Sequence, residues 1–182
     1  MTKSIQLLGA LALMLVFSTE VKAQSLQEEM FGKFGTLTEW MNTPMINSYI
    51  EESAELNEEF YGLLDETAVS DSKIIPLGKV EKGKSVILLY LVAEYTDEGK
   101  MDFFMLHAAT LNQKTGEKTS AEKYLLAGGT RGESTYNGSY KLKEKGLIVI
   151  SQNEVNTETD SETVVVKEYA FRKELEFMRT ID

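Results

Sequence analysis

Cysteine is absent from this 182-residue sequence, and histidine occurs only once. Without cysteine the chain has no disulfide, no thiol nucleophile, no cysteine-ligated zinc or iron–sulfur centre and no lipid-modified cysteine. A single histidine also argues against a zinc site, which normally recruits several His or Cys ligands. The sequence therefore predicts a fold stabilised by packing, with no metal centre and no cofactor.

Long apolar runs are also missing, because none reaches the roughly 20 residues that a membrane-spanning helix needs. The N-terminal run Leu7–Phe17 follows the positive Lys3 and precedes Val21-Lys22-Ala23, a small-residue cleavage site. This arrangement is typical of a secretory signal peptide. We expect residues 1–23 to be removed, and the protein to be soluble, without a membrane span, in the periplasm or outside the cell.

Basic residues are scarce, with 19 Lys and Arg against 29 Asp and Glu. Removal of residues 1–23 leaves 17 basic and 28 acidic residues, a formal charge near −11. Such a surface repels nucleic acid and anionic lipid, whose binding depends on clustered Lys and Arg. We therefore expect no nucleic-acid partner. The acidity either keeps an exported domain soluble or attracts a basic partner.

Residues 24–72 have the apolar spacing of helices and are expected to form a helical cap. The positions that recur every three or four residues at its start are Leu26, Met30, Phe34, Leu37 and Met41. Thr43 and Pro44 then predict an N-cap and a first helical position. The polar face of this second helix would carry five glutamates: Glu51, Glu52, Glu55, Glu58 and Glu59.

From residue 73 to residue 182 the apolar period changes to two, and turn signals recur at short intervals. The segments Ser85–Tyr95 and Met101–Leu111 are apolar on both faces, which is typical of central strands covered on two sides. Asn137-Gly138 predicts a two-residue hairpin turn. The fold class is mainly β (α+β): an antiparallel up-and-down meander of about eight strands forms one domain with the cap. An open barrel, a sandwich and blade-like sheets all fit.

Candidate catalytic groups are few. His107 has Met105 and Ala109 as its same-face neighbours, and no serine nucleophile motif lies nearby, so a structural role is expected. Glu94 and Asp102 are the one carboxylate pair that the central hairpin brings near each other. The turn between their strands accounts for both, and we expect a non-catalytic protein.

The segment around Gly128 is the least conventional part of the meander. Gly128, Gly129 and Arg131 together suit a nest of backbone amides for a carboxylate or phosphate. Tyr124 and Tyr136 flank them in the sequence. These five residues are the candidate ligand-binding site, and a bulged connection between strands is the alternative.

An acidic loop at 153–162 supplies several carboxylate and amide oxygens, the ligands that a hard cation takes. The loop lacks the EF-hand pattern and its glycine. A solvated hairpin tip is the favoured explanation of this composition, so the sequence predicts no metal ligand there and leaves a bound cation open.

The Ala23-Gln24 junction, the strand Ile74–Val80 and the meander after it resemble exported β-rich proteins of unknown function from Bacteroidota. The resemblance implies an envelope or secreted β-rich domain. It assigns no functional residue.

The leading hypothesis is a non-catalytic binding or protein-interaction module of the cell envelope, whose partner is an unknown protein or small ligand. One alternative is a small-molecule carrier with a β-barrel cavity. A second is an inhibitor or immunity-like protein whose acidic helix face binds a basic partner. A hydrolase is the third. Aromatic residues that would line a carrier's cavity are Tyr90, Phe103, Phe104, Tyr124, Tyr169 and Phe171. The oligomeric state stays open.

Overall fold

The structure is a computed structural model that describes residues 25–64, 66, 71–144 and 146–181. The expected signal peptide at 1–23 lies outside these residues. Three helices are described: α1 (25–33), α2 (Thr43–Glu52) and α3 (Tyr61–Leu64). A 3-10 turn, Glu58–Phe60, directly precedes α3. None of the helices in the described ranges has the length and hydropathy to cross a membrane.

Nine strands are described, and every pair among them is antiparallel. Their bounds are Trp40–Asn42 (β1), Ser72–Lys82 (β2), Ser85–Tyr95 (β3), Met101–Asn112 (β4), Lys118–Arg131 (β5), Ser134–Lys143 (β6), Leu147–Asn156 (β7), Ser161–Phe171 (β8) and Leu175–Ile181 (β9). Strands β2 to β9 pair in chain order, and β1 pairs with β6. The predicted meander with an N-terminal helical segment is confirmed. Within the described residues β2 and β9 do not pair, so the sheet is open.

Two hydrophobic cores lie on opposite faces of β2, β3 and β4. The larger core joins α2 to side chains from every strand of the meander, including Phe104 and Tyr140. The smaller core fills the space between the other face of these strands and the helices α1 and α3, where Met30 and Phe60 are fully buried. Both faces of β3 and β4 are thus covered, which explains their two-sided apolar sequence.

The helices of the cap are shorter than their apolar spacing predicts. Helix α1 ends at residue 33, because glycine at 32 and 35 weakens a helix there. Phe34 and Leu37 are nevertheless buried, in the non-helical segment that follows α1. The N-cap of α2 is Asn42 rather than Thr43, since its side-chain oxygen accepts a hydrogen bond from Met45 N at 3.2 Å.

The expected acidic helix face does not form. Helix α2 ends at Glu52, and the chain is then non-helical up to the 3-10 turn that begins at Glu58. The five glutamates therefore belong to three separate segments. One of them, Glu55, pairs with Lys73 at 3.7 Å and accepts a hydrogen bond from Tyr61.

The predicted hairpin turn at Asn137-Gly138 is wrong, because both residues lie inside β6. The turn that joins β5 to β6 is at 132–133, where Gly132 has a φ of 61°. Gly138 serves packing instead. A Cβ atom at this position would overlap Leu126 Cδ1, and it would lie 3.1 Å from the carbonyl oxygen of Ser151. Strand β5 therefore crosses close to β6 and β7 here.

We predict that Gly138→Ala lowers the free energy of unfolding by about 2 kcal/mol, because an added methyl group overpacks the core. In a Leu126→Ala background the same change should cost much less. Urea unfolding measures both. Gly32→Ala is the matched control, since a Cβ there meets nothing within 4 Å; it should be neutral or stabilising. Equal losses at positions 138 and 32 would contradict the packing role.

Candidate functional site

A pocket of about 350 Å³ opens where β5 separates from β6. The two strands pair only between Gly129–Arg131 and Ser134–Tyr136, and beyond that point β5 leaves the edge of β6. The residues around this space, called the β5 pocket below, are Phe103, Tyr124, Leu125, Ala127, Arg131, Tyr136, Ile150, Gln152, Val165 and Lys167. Five strands, β4 to β8, thus contribute to one largely apolar site.

An aromatic cluster forms one part of the wall. The rings of Phe103 and Tyr136 meet edge to face, with centroids 5.5 Å apart. The Arg131 guanidinium lies 5.1 Å from the centroid of Phe103 and contacts Glu94 at 3.4 Å. The hydroxyl of Tyr136 donates to Glu154 at 3.2 Å. Cation–π contact and hydrogen bonding therefore fix the two rings in place.

Gln152 holds β5 beside the pocket. Its side-chain oxygen accepts a hydrogen bond from Ala127 N at 2.6 Å. This backbone donor lies in the part of β5 that does not pair with β6. Its amide nitrogen donates to the carbonyl oxygens of Asn137 and Asn153 at 3.2 and 3.0 Å. One side chain of β7 thus replaces part of the missing strand pairing.

A bulge in β5 directs three successive side chains. Leu126 lies opposite Leu106 and Glu122 lies opposite Ala108, so residues 123–125 face the single residue His107. Tyr124, in the middle of this β5 bulge, has a φ of 59°, a left-handed conformation that non-glycine residues seldom adopt. Its ring is exposed on one side and packs edge-on against His107, with centroids 5.5 Å apart.

A buried polar cluster lies on the other side of Tyr124. Glu66 Oε1 accepts hydrogen bonds from the Tyr90 hydroxyl at 2.8 Å and from His107 Nδ1 at 3.1 Å. Lys123, from the β5 bulge, reaches the same carboxylate at 3.1 Å. We call Glu66, Tyr90, His107 and Lys123 the Glu66 cluster.

The charge of Glu66 is stabilised by these contacts. Burial alone would raise the pKa of the carboxyl group, but hydrogen bonds from His107, Tyr90 and Lys123 outweigh it and lower the pKa to about 2. Glu66 is therefore ionised at neutral pH. An ionised carboxylate only accepts hydrogen bonds, so His107 Nδ1 carries the proton between them.

His107 is packed within the sheet, beside two tyrosine rings. Only 3% of the residue is exposed, and its ring packs against Tyr90 as well as Tyr124. Its Nε2 atom has no hydrogen-bond partner among the described residues. Its hydrogen bond through Nδ1 to Glu66 joins it to the Glu66 cluster.

No family model, no curated protein and no solved structure matches this chain in the three comparisons. No residue role is therefore carried over from another protein.

The structure brings three of the five candidate ligand-binding residues together. Tyr124, Arg131 and Tyr136 all border the β5 pocket. Gly128 and Gly129 lie in β5 itself but do not border it. A Cβ at Gly128 would collide with the Phe104 ring, and one at Gly129 with the carbonyl oxygen of Asp102. Close packing accounts for these two glycines.

The aromatic residues proposed for a carrier's cavity divide into two groups. Phe103 and Tyr124 border the pocket. Phe104, Tyr169 and Phe171 belong to the larger core, and Tyr90 lies in the smaller core and the Glu66 cluster. The pocket is thus smaller and more peripheral than a cavity along the whole sheet.

The two remaining acidic candidates form no shared site. Glu94 lies opposite Phe103 rather than Asp102, and its carboxylate contacts Arg131. At 153–162 the strands β7 and β8 extend through most of the expected loop, which leaves a turn capped by Asn156. In the part of the chain that the structure describes, no group of three or more His, Cys, Asp or Glu side chains could hold a metal ion.

Glu66, Gln152 and Lys167 are site residues that sequence reasoning missed. Glu66 lies 41 positions before its partner His107, and Gln152 lies 25 positions after Ala127. No local motif connects such distant residues. Lys167 carried a weak signal, because it interrupts the inward-facing apolar series of β8 between Val165 and Tyr169.

We predict that Glu66→Gln lowers the free energy of unfolding at pH 7 by about 2 kcal/mol. The difference between the ordinary pKa of 4.5 and the folded value of about 2 corresponds to roughly 3 kcal/mol, and residual solvent exposure reduces this. A depressed pKa contributes stability above the unfolded value, and the contribution is lost as the pH falls from about 4.5 to 2.

Denaturant unfolding of wild type and Glu66→Gln across this pH range measures the effect. The variant should show a shallower acid dependence. Glu58→Gln, at an exposed position, serves as the matched control and should follow wild type. Parallel curves for wild type and Glu66→Gln would contradict the assignment.

Proposed function

We propose that this protein is a non-catalytic binding protein of the cell envelope that carries a small ligand in the β5 pocket. The observation that supports the proposal is the pocket itself. Its volume of about 350 Å³ is within the range of about 300–1,000 Å³ that small-molecule sites occupy. Apolar and aromatic side chains with a few polar groups line it, which is the usual composition of such sites.

A binding role fits the chemistry of the wall better than catalysis does. Among the described residues that border the pocket there is no carboxylate and no histidine. Two of its polar groups have structural hydrogen bonds: Gln152 holds β5, and Tyr136 donates to Glu154. Such a wall can orient a ligand, but it offers no acid–base pair.

The proposed location rests on the N-terminal sequence. Lys3, the apolar run Leu7–Phe17 and the site before Gln24 together match a secretory signal. The resemblance to exported Bacteroidota proteins supports the same compartment. A carrier in the envelope would hold its ligand outside the cytoplasm.

We predict that 1-octanol binds to the purified protein at sub-millimolar concentration, because burial of each methylene contributes about 0.8 kcal/mol. Val165→Trp should weaken this binding at least tenfold, since the indole fills the pocket. Isothermal titration calorimetry measures both affinities. In a second measurement, amide chemical-shift changes in wild type should concentrate in β5 to β8.

Val164→Trp is the matched control, because adjacent residues of a strand point to opposite faces. Val164 is 62% exposed and does not border the pocket. The control should bind octanol as wild type does. Failure of wild type to bind octanol or a charged ligand of the same chain length, or equal weakening of octanol binding by both variants, would overturn the proposal.

Export has its own expected outcome. Expressed in a Gram-negative host, the full chain should lose residues 1–23 and appear in the periplasm or medium with Gln24 at its N-terminus. Mass spectrometry of the secreted protein identifies this terminus. Ala23→Asp should leave the precursor uncleaved, because the position before the cut requires a small residue. Retention of Met1 in the wild-type protein would contradict the location.

A further inference from the structure

We propose that the ligand of the β5 pocket is a small amphipathic monocarboxylate whose charged group binds Lys167. This inference rests on the proposed function and adds the chemical class of the ligand.

The charge of the pocket wall is opposite to that of the protein. The chain has 29 acidic and 19 basic residues. The wall nevertheless holds two cations, Arg131 and Lys167, and none of the described residues in it is acidic. A ligand with a negative charge would therefore meet attraction inside the pocket, whereas a cationic ligand would meet repulsion.

Lys167 is the pocket cation that forms no ion pair within the part of the chain that the structure describes. It is half-buried, and it lies opposite Ile150 on β7. The carboxylate next to it in sequence, Glu168, contacts Lys143 and Arg179 instead. A partly desolvated ammonium group beside apolar side chains gains from an anionic hydrogen-bond acceptor.

Arg131 differs from Lys167, because its charge is already compensated. It is 54% exposed, contacts Glu94 at 3.4 Å and covers the ring of Phe103. Among the described residues of the wall, one uncompensated cation therefore remains, which matches one negative charge on the ligand. A group with several negative charges would find fewer partners.

The volume limits the apolar part of the ligand. A water molecule occupies about 30 Å³ in the liquid, so a pocket of about 350 Å³ has the volume of roughly twelve waters. A ligand of about ten non-hydrogen atoms fits this space. Octanoate combines that size with a single carboxylate.

The experiment compares three ligands with the same chain length: octanoate, 1-octanol and octylamine. Isothermal titration calorimetry at pH 7 should show the tightest binding for octanoate and the weakest for octylamine. We expect octanoate to bind about tenfold more tightly than octanol, the usual effect of one charge-assisted hydrogen bond.

Substitutions of lysine then test whether Lys167 is the group that binds the carboxylate. Lys167→Met should weaken octanoate about tenfold and leave octanol within twofold, while Lys167→Arg should retain most of the preference. Lys141→Met is the matched control, because Lys141 is an exposed lysine that does not border the pocket. It should change neither affinity.

The outcomes separate the two proposals. If octanol binds in the pocket as tightly as octanoate, the anionic ligand class is wrong and the binding function stands. If the octanoate preference survives Lys167→Met, the assignment of Lys167 is wrong. If none of the three ligands binds, the proposed function fails and this inference fails with it.

Discussion

The contact between Leu126 and Gly138 is the constraint on which the rest of the structure depends. Because residue 138 has no side chain, β5 can pass directly over β6 towards β7. The crossing limits the pairing of β5 with β6 to three residues. Other groups then satisfy the edge of β6: Thr43 exchanges hydrogen bonds with the backbone of Gly138, and β1 pairs with 139–141. The β5 pocket is the space that this departure leaves open.

The β5 bulge links the two parts of the site. It sends Lys123 to the Glu66 carboxylate, Tyr124 to the face of His107, and Leu125 into the wall of the pocket. The left-handed backbone at Tyr124 costs about 1–3 kcal/mol, so it persists only where surrounding contacts offset it. The Glu66 cluster supplies such contacts. A change in that cluster would therefore alter the pocket wall through Tyr124, although none of the four residues of the cluster borders the pocket.

The spacing of apolar residues predicted most of the fold. Most of the site could not be predicted, because its residues are far apart in the sequence. The two-sided apolar sequences of β3 and β4 required a second covering layer, and α1 and α3 supply it. Local rules failed where tertiary contacts override them. Gly138 was predicted to be a turn residue, because no sequence signal near position 138 indicates the close approach of Leu126. Tyr124, Arg131 and Tyr136 were accessible to sequence reasoning because they are near one another along β5 and β6. Glu66 and Lys167 are distant from these residues in the sequence, and only the folded sheet brings them into the same region.

The three-residue strand β1 has a consequence for the unpaired edges of the sheet. Unpaired strand edges attract further strands, including those of other molecules. The middle of β6 would present such an edge, since β5 leaves it, and Trp40–Asn42 cover it at once from within the same chain. The segment that leads into α2 thus covers, from within the same chain, an edge at which another strand could otherwise pair. On the β6 side, the opening left by β5 is therefore bounded by a strand that is paired with both β1 and β7.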